Sequence, residues 1–199
     1  MQLTENIWSF VITLAAVING LGIVLLISGI GDYLKNHSRV NIQHYWVYTL
    51  LAVFQLLAHL LLWWSILGVV TTVDYVNFLV YLYLLIGPAL LYLGTSLIIP
   101  DLKDKSIDLR TEYFHFRKTF YSIMTAFWLW VISIWPAFGY QFPPTTPLLT
   151  AWLLISLILR LTDNRKAHAV LVTANLVIYA TYIVIFAMQI GEVSRRVVE

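Results

Sequence analysis

The sequence predicts an all-α integral membrane protein, a helical bundle of about six transmembrane helices joined by short loops. Hydrophobic residues make up 60% of the 199 positions, charged residues make up 11%, and the mean hydropathy is +0.81. An ordinary soluble domain needs a more polar surface than this composition can provide. The apolar residues also form runs long enough to cross a hydrocarbon core of about 30 Å, at about 1.5 Å per residue. We therefore expect a single domain whose surface is mostly covered by lipid.

Six apolar runs are the candidate spans. They cover residues 7–30, 45–70, 76–99, 120–138, 147–162 and 167–190. The fifth run is short for a bilayer and needs tilt or local thinning to cross it. The first run could instead be the core of a signal peptide, but the preceding MQLTEN lacks the basic residues that normally come before such a core. We expect the first run to be retained as a span.

The composition also disfavours several classes of function. The longest polar stretch, residues 101–118, is too short for a soluble catalytic domain. There is no cysteine, so disulfides, thiolate ligands and cysteine nucleophiles are excluded. The net charge is only +2 and the basic residues are spread among loops, which argues against nucleic acid as a partner. No nucleophile motif, phosphate loop or dinucleotide fingerprint is present, so we expect no cofactor and favour a non-enzymatic role.

The basic residues predict the orientation. Ten of the twelve lie in or beside loops one, three and five: Lys35, Arg39, Lys103, Lys105, Arg110, Arg117, Lys118, Arg160, Arg165 and Lys166. Because basic loops are retained in the cytoplasm, the odd-numbered loops should be cytoplasmic and both termini should lie on the non-cytoplasmic side. Arg195 and Arg196 in the C-terminal tail run against this assignment, but Glu192 and Glu199 balance them.

The interior of the predicted bundle has few polar groups. His59 lies near the middle of the second run, and Gln55, Tyr48 and Trp63 share its face at helical spacing. Such a stripe could line a ligand or proton pathway, since imidazole can change charge near neutral pH. The alternative, which we favour slightly, is a neutral histidine that hydrogen bonds to a neighbouring helix. Asn175 and Tyr179 give the sixth run a second polar face, and we expect it to oppose His59.

Small residues and proline mark two helices. Gly87 and Pro88 should bend the third run, either for packing or to free backbone carbonyls for a ligand. Ala16 and Gly20 in the first run form a pair of small residues four positions apart that would allow a close helix approach.

Three histidines could form a metal site. His44, His115 and His168 all lie at the predicted cytoplasmic starts of even-numbered spans, and zinc accepts three such ligands. Their spacing lacks the close local pairs of a strong metal motif, so interfacial placement is the favoured explanation and no metal is expected.

The charged segment after Pro100 carries aromatic residues and could lie in the headgroup layer or form a solvated loop. Its candidate contacts with a partner or with lipid are Arg110, Tyr113, Phe114 and Arg117.

A resemblance involves the middle third of the chain. It is carried by Trp63, Trp64, Tyr92, Leu93, Pro100, Asp101, Asp108, Leu109, Arg110, Tyr113, Phe114, Arg117, Phe120 and Tyr121. This pattern resembles a loosely defined group of small uncharacterised bacterial multi-pass membrane proteins. The resemblance implies a bacterial inner-membrane location and no particular activity.

Three functions are compatible with these features. The leading hypothesis is a small-solute or ion pathway whose polar interior includes Gln55 and His59, in a homo-oligomer or as a subunit of a membrane complex. The second is an interaction or sensory subunit whose third loop contacts a cytoplasmic partner or anionic lipid. The third, a metal-dependent membrane enzyme, is the least favoured.

Overall fold

Six helices form nearly all of the described chain. The computed structural model describes residues 2–72, 77–101 and 106–187. The helices are α1 (Gln2–Asn36), α2 (Trp46–Thr72), α3 (Phe78–Leu97), α4 (Leu109–Ala137), α5 (Thr146–Leu161) and α6 (Arg165–Tyr182). A π-helical turn, Ile183–Ala187, continues α6. Two short strands, β1 (Asn41–Gln43) and β2 (Ser106–Asp108), lie in the connections before α2 and α4.

The predicted all-α class is confirmed. Five helices in the described residues are long and apolar enough to cross a membrane. The exception is α5, whose 16 residues give a length of about 24 Å. This is the run that the sequence marks as short, and it does not reach across a hydrocarbon core of about 30 Å without tilt or thinning.

The odd-numbered loops meet at one end of the bundle, here called the odd-loop end. Loop one and loop three are joined by parallel pairing of β1 with β2, in which Ile42 lies opposite Ile107. Loop five is joined to the first turns of α4, directly after loop three, by Arg117, which forms an ion pair with Asp163 and donates a hydrogen bond of 2.9 Å to the Thr162 carbonyl. The three connections that carry most of the basic residues are therefore neighbours.

The opposite end, here called the even-loop end, contains the start of α1. Trp8 and Val11 form a small apolar cluster there with Tyr81 and Leu84 near the start of α3 and Phe138 after α4. Together with the odd-loop contacts, this arrangement gives helices that alternate in direction, as expected for short connections. Lys103, Lys105, Arg195 and Arg196, which entered the orientation argument, lie outside the described residues.

The α1 helix buries one narrow face. Its buried positions recur every third or fourth residue: Trp8, Val11, Ala15, Asn19, Gly22, Leu26 and Gly29. The small pair Ala16 and Gly20 is not on this face, and a Cβ atom added to Gly20 would meet nothing within 4 Å. The predicted close approach at that pair is therefore wrong within the protomer, because the face that packs is offset from it around the helix.

The start of α4 also differs from the sequence prediction. The helix begins at Leu109 and not near residue 120, so most of the segment expected as a loop or interfacial helix belongs to a continuous helix. Two features explain the earlier start. Asp108 caps the helix by accepting hydrogen bonds from the Arg110 backbone N–H (2.9 Å) and the Thr111 hydroxyl (2.8 Å). In addition, Tyr113 and Phe116 are buried at helical spacing in the first turns.

This cap gives a testable prediction. Asp108→Ala should lower the free energy of unfolding by about 1 kcal/mol, because the first turn of α4 loses its side-chain acceptor. Asp108→Asn is the matched control and should retain most of the stability, since an amide oxygen also caps. The measurement is unfolding by titration with a denaturing detergent. Equal losses for the two variants would contradict the capping role.

The same cap predicts a pH dependence. Hydrogen bonds from Thr111 and from the Arg110 backbone lower the pKa of Asp108 below its usual range. Because the folded-state pKa is lowered, the contribution of Asp108 is present above the ordinary carboxyl pKa of about 4 and is lost as the pH falls below it. Asp108→Asn should remove this part of the acid destabilisation; an unchanged acid profile would contradict the prediction.

Candidate functional site

The centre of α2 carries two polar side chains that are completely buried. Gln55 and His59 lie one helical turn apart, and both have a relative exposure of 0%. His59 bridges two other helices: its Nδ1 lies 2.7 Å from Oδ1 of Asn19 in α1, and its Nε2 lies 2.8 Å from Oγ1 of Thr95 in α3. These four residues, here called the polar cluster, join α1, α2 and α3 in the interior.

Hydrogen-bond chemistry assigns the protons in the polar cluster. The Asn19 amide nitrogen donates to the His59 backbone carbonyl at 3.0 Å, so the other Asn19 atom is the oxygen and can only accept. Nδ1 of His59 must therefore carry hydrogen and donate. Because complete burial disfavours the charge of a second proton, Nε2 accepts from the Thr95 hydroxyl. The histidine is thus a neutral imidazole, and the contacts need no buried charge.

Gln55 completes the polar cluster but leaves one atom without a partner. Its amide nitrogen donates to the Leu91 carbonyl at 2.9 Å and to Oγ1 of Thr95 at 3.1 Å. Its Oε1 is buried and has no hydrogen-bond partner among the described residues. An unsatisfied buried acceptor costs about 1–3 kcal/mol, so this oxygen is the one position in the cluster where a further donor would be stabilising.

The close approach of the α1 backbone at Gly22 holds the His59 ring in place. A Cβ atom added to Gly22 would lie 2.3 Å from Cε1 of His59, which is far inside van der Waals contact. Only a glycine lets α1 come this close to α2. Close approach at small residues is how membrane helices gain packing contacts, and here the approach also puts Asn19 within reach of the imidazole.

The other two residues of the predicted stripe, Tyr48 and Trp63, differ in burial. Tyr48 is buried and donates to the Ile98 carbonyl at 2.5 Å, so it faces the end of α3. Trp63 is 39% exposed and lies outside the interior, so its placement on an inward stripe is wrong. Trp63 leaves the face of Gln55 because two successive four-residue steps rotate by about 80° around the helix.

The expected opposition of α6 to His59 is not observed. Asn175 and Tyr179 are buried, but the Tyr179 ring packs against Phe54, with centroids 4.9 Å apart, and against Trp152 at 4.4 Å. Phe54 and His59 are separated by about 140° around α2, so they face different neighbours. The partners of His59 come instead from α1 and α3.

Gly87 and Pro88 are used for packing. Residues 78–97 form one helix with Pro88 inside it, and Gly87 contacts the ring of Trp130, which would lie 2.1 Å from an added Cβ atom. The Trp130 indole N–H donates to the Tyr83 carbonyl at 2.8 Å, in the turn before the proline. A tryptophan from α4 thus packs and hydrogen bonds where a ligand could have been expected to bind.

A cavity of about 100 Å³ lies beside the polar cluster, toward the even-loop end. All six helices contribute to the wall of this space, here called the aromatic cavity, which is mainly apolar and includes seven aromatic side chains: Trp8, Phe127, Trp128, Trp130, Trp152, Tyr179 and Tyr182. Ala15 and Ala58 also line it, one turn from Asn19 and next to His59, respectively. The cavity therefore comes within one helical turn of the polar cluster, although none of the four residues of the cluster lines it.

Two indole groups of the cavity wall have unused donors. The Trp128 and Trp152 rings are stacked with centroids 4.7 Å apart. Both Nε1 atoms are buried and have no hydrogen-bond partner among the described residues. By contrast, the Tyr182 hydroxyl hydrogen bonds to Ser65 in the same wall. The wall therefore combines a large apolar surface with two indole N–H donors that are buried without a partner among the described residues.

A second buried network, at the odd-loop end, is absent from the sequence interpretation. The Tyr113 hydroxyl lies 2.7 Å from Nδ1 of His168 and 2.9 Å from the Tyr121 hydroxyl, and Nε2 of His168 lies 2.9 Å from the Thr162 carbonyl. Since a carbonyl can only accept, Nε2 donates and Nδ1 accepts from Tyr113. The eight-residue spacing of Tyr113 and Tyr121 was the sequence signal from which this network could have been predicted.

This network changes the interpretation of the three histidines. His168 is fully buried and uses both ring nitrogens, whereas His44 and His115 are exposed. No group of three potential metal ligands occurs in the described residues. The three histidines do not converge, and the hypothetical three-histidine site is wrong.

The proposed partner-contact residues also have internal roles. Tyr113 is fully buried and Arg117 is 4% exposed, engaged with Asp163 and Thr162. Phe114 is half-buried, with the Arg117 guanidinium 5.6 Å from its ring centroid. Of the four candidates only Arg110 is exposed, and it lies over Tyr45 at 5.5 Å. Tyr113 and Arg117 are thus not available to a partner, because the longer α4 turns them inward.

Comparisons with protein families, curated proteins and solved structures found no match to this chain.

The close contact at His59 predicts a sharp difference between two glycines of α1. Gly22→Ala should destabilise the protein by about 1–3 kcal/mol, since the new methyl group overlaps the imidazole. Gly20→Ala makes the same chemical change on an open surface and should be neutral or slightly stabilising. Thermal unfolding followed by circular dichroism in the same detergent compares them. A Gly22→Ala protein as stable as Gly20→Ala would show that α1 and α2 do not pack at this position.

Proposed function

We propose that this chain is a multi-pass inner-membrane protein whose central cavity recognises a small, flat, mainly apolar molecule that carries a hydrogen-bond acceptor. The observation that carries the proposal is the aromatic cavity with the unpaired donors of Trp128 and Trp152. The function is therefore one of ligand sensing by a membrane-embedded bundle.

The membrane setting is supported by length, apolarity and exposure. Five helices have the length and hydropathy to span a bilayer, and large apolar side chains such as Val24, Leu79 and Leu154 are more than half exposed. Apolar surface on this scale is typical of contact with lipid or another protein. The basic odd-loop end would face the cytoplasm, with both termini on the other side.

The chemistry of the cavity favours a particular kind of ligand. Its volume is comparable to that of an engineered apolar cavity of about 150 Å³ that takes up benzene or xenon, so a molecule with one ring is the right size. Aromatic walls favour flat rings through offset or edge contacts. An acceptor on the ligand would satisfy an indole N–H that is otherwise buried without a partner, which is worth about 1 kcal/mol or more.

Sensing is better supported than passage for such a ligand. A small apolar molecule dissolves in lipid and needs no protein pathway to cross it, whereas a change in helix packing requires a specific binding site. Ala15 and Ala58 line the cavity within one turn of Asn19 and His59, so a bound molecule that shifts α1 or α2 would alter the contacts of His59. Solute passage along Gln55 and His59 stays a prediction, and it requires the hydrogen bonds of the polar cluster to open.

Two probes of the same shape test the proposed function. Benzonitrile and phenylacetylene are flat, linear and similar in size, but only benzonitrile carries a nitrogen acceptor. Both should raise the thermal midpoint of the detergent-solubilised protein, and benzonitrile should bind about fivefold more tightly because of one additional hydrogen bond. No stabilisation by either probe would overturn the proposal.

Single-tryptophan variants identify the donor. Trp128→Phe and Trp152→Phe keep an aromatic wall and remove an N–H, so at least one of them should abolish the preference for benzonitrile. Trp46→Phe is the matched control, because Trp46 is 49% exposed and does not line the cavity. A preference that survives both cavity variants, or that is lost equally in the control, would contradict the assigned donors.

A further inference from the structure

A groove between α4 and α5 opens at the odd-loop end. Its walls are Lys118, Thr119 and Ser122 of α4 and Arg160 and Leu161 of α5, and its volume is about 490 Å³. Four of these five side chains are exposed, and Ser122 is half-buried. The groove is separate from the aromatic cavity, with which it shares no lining residue.

The groove is positively charged and its charges are not neutralised internally. Neither Lys118 nor Arg160 pairs with an acidic side chain within the described ranges, and the nearby Asp163 is held by Arg117. Thr119 adds a hydroxyl group at the groove. The Ser122 hydroxyl donates to the Lys118 carbonyl at 2.6 Å, so it can only accept from a ligand. Two cations and one hydroxyl are left for an anion.

The groove lies where the short helix α5 ends. Arg160 and Leu161 are the last two residues of α5, while α4 continues from Lys118 to Leu109, about 13 Å further. The odd-loop end therefore has a step between a long helix and a short one. If α5 lies in a bilayer, headgroups must approach the end of this short helix.

Apolar side chains continue from the groove toward the bilayer interior. Leu161, Ile158 and Leu154 share one outward face of α5, with exposures of 77%, 47% and 52%. Ala126 and Leu129 are exposed on α4, one and two turns from Ser122. A basic pocket at the top of an exposed apolar surface matches the two parts of a phospholipid.

We propose that this groove binds one anionic phospholipid of the cytoplasmic leaflet, with Lys118 and Arg160 holding its phosphate and the exposed face of α5 holding an acyl chain. The assignment rests on the membrane setting proposed above and is independent of any ligand in the aromatic cavity. A lipid is favoured over a soluble anion because the apolar surface is continuous with the charged pocket. Basic pockets between membrane helices on this side are suited to such headgroups.

Native mass spectrometry of the full-length protein in a mild detergent tests the proposal. The probes are phosphatidylglycerol and phosphatidylcholine with identical acyl chains. The first phosphatidylglycerol should bind on the order of tenfold more tightly than phosphatidylcholine, because only it brings net negative charge. Lys118→Ala together with Arg160→Ala should reduce this preference on the order of tenfold.

Matched controls separate a specific site from general surface charge. Arg110→Ala together with Lys166→Ala removes the same charge at the same end, from exposed residues outside the groove. This control should leave the preference unchanged; an equal loss in both double variants would overturn the site. Leu161→Ser should weaken phosphatidylglycerol binding by several fold, because it removes apolar surface from the acyl contact.

Free phosphate distinguishes the source of the anion. Inorganic phosphate at millimolar concentration should displace little phosphatidylglycerol, since it makes no acyl contact. Full displacement by phosphate, together with no effect of Leu161→Ser, would make this a soluble-anion site and overturn the lipid assignment. Stabilisation by benzonitrile reports only on the aromatic cavity, so the two proposals can fail separately.

Discussion

The hydrogen bonds of His59 to Asn19 and Thr95 are the contacts on which the packing of the first three helices depends. In the proposed membrane setting the hydrophobic effect would give little attraction between helices, so close packing and polar contacts would hold them together. Here one imidazole joins two helices to a third, and the missing side chain of Gly22 allows the required distance. Removing either feature would leave buried polar groups without partners, which is costly in a low-dielectric interior.

The apolar character of the interior is compatible with this neutral polar cluster. Because both nitrogens of His59 are used without a net charge, no buried counter-ion is needed and the rest of the centre can be apolar. The polar cluster lies within one helical turn of the aromatic cavity, and the network of Tyr113 with His168 joins α4 to α6 at the odd-loop end. Under the proposed function, a ligand that displaces Ala15 or Ala58 would also act on the neighbouring Asn19 and His59.

Much of the fold could be predicted from the sequence, because six apolar runs and their basic loops are strong signals. The buried pair of Gln55 and His59 was also identifiable, since isolated polar residues in apolar helices point inward. The hydrogen-bond partners of this pair were harder to predict from the sequence. Asn19 is the one strongly polar side chain of the first run and could have been selected by the same rule, whereas Thr95 resembles any threonine near a helix end. The inward turn of Arg117 depends on its tertiary contact with Asp163, which local patterning cannot specify.

The protonation state of His59 tests the account most directly. Solid-state ¹⁵N spectroscopy of histidine-labelled protein, with a His59→Gln sample to assign the signal, distinguishes the two neutral tautomers from the cation. The account predicts a neutral ring at pH 7 with hydrogen on Nδ1, donating to Asn19, and a bare Nε2 that accepts from Thr95. A ring protonated on Nε2, or on both nitrogens, would contradict the polar cluster as the contact that joins α1, α2 and α3.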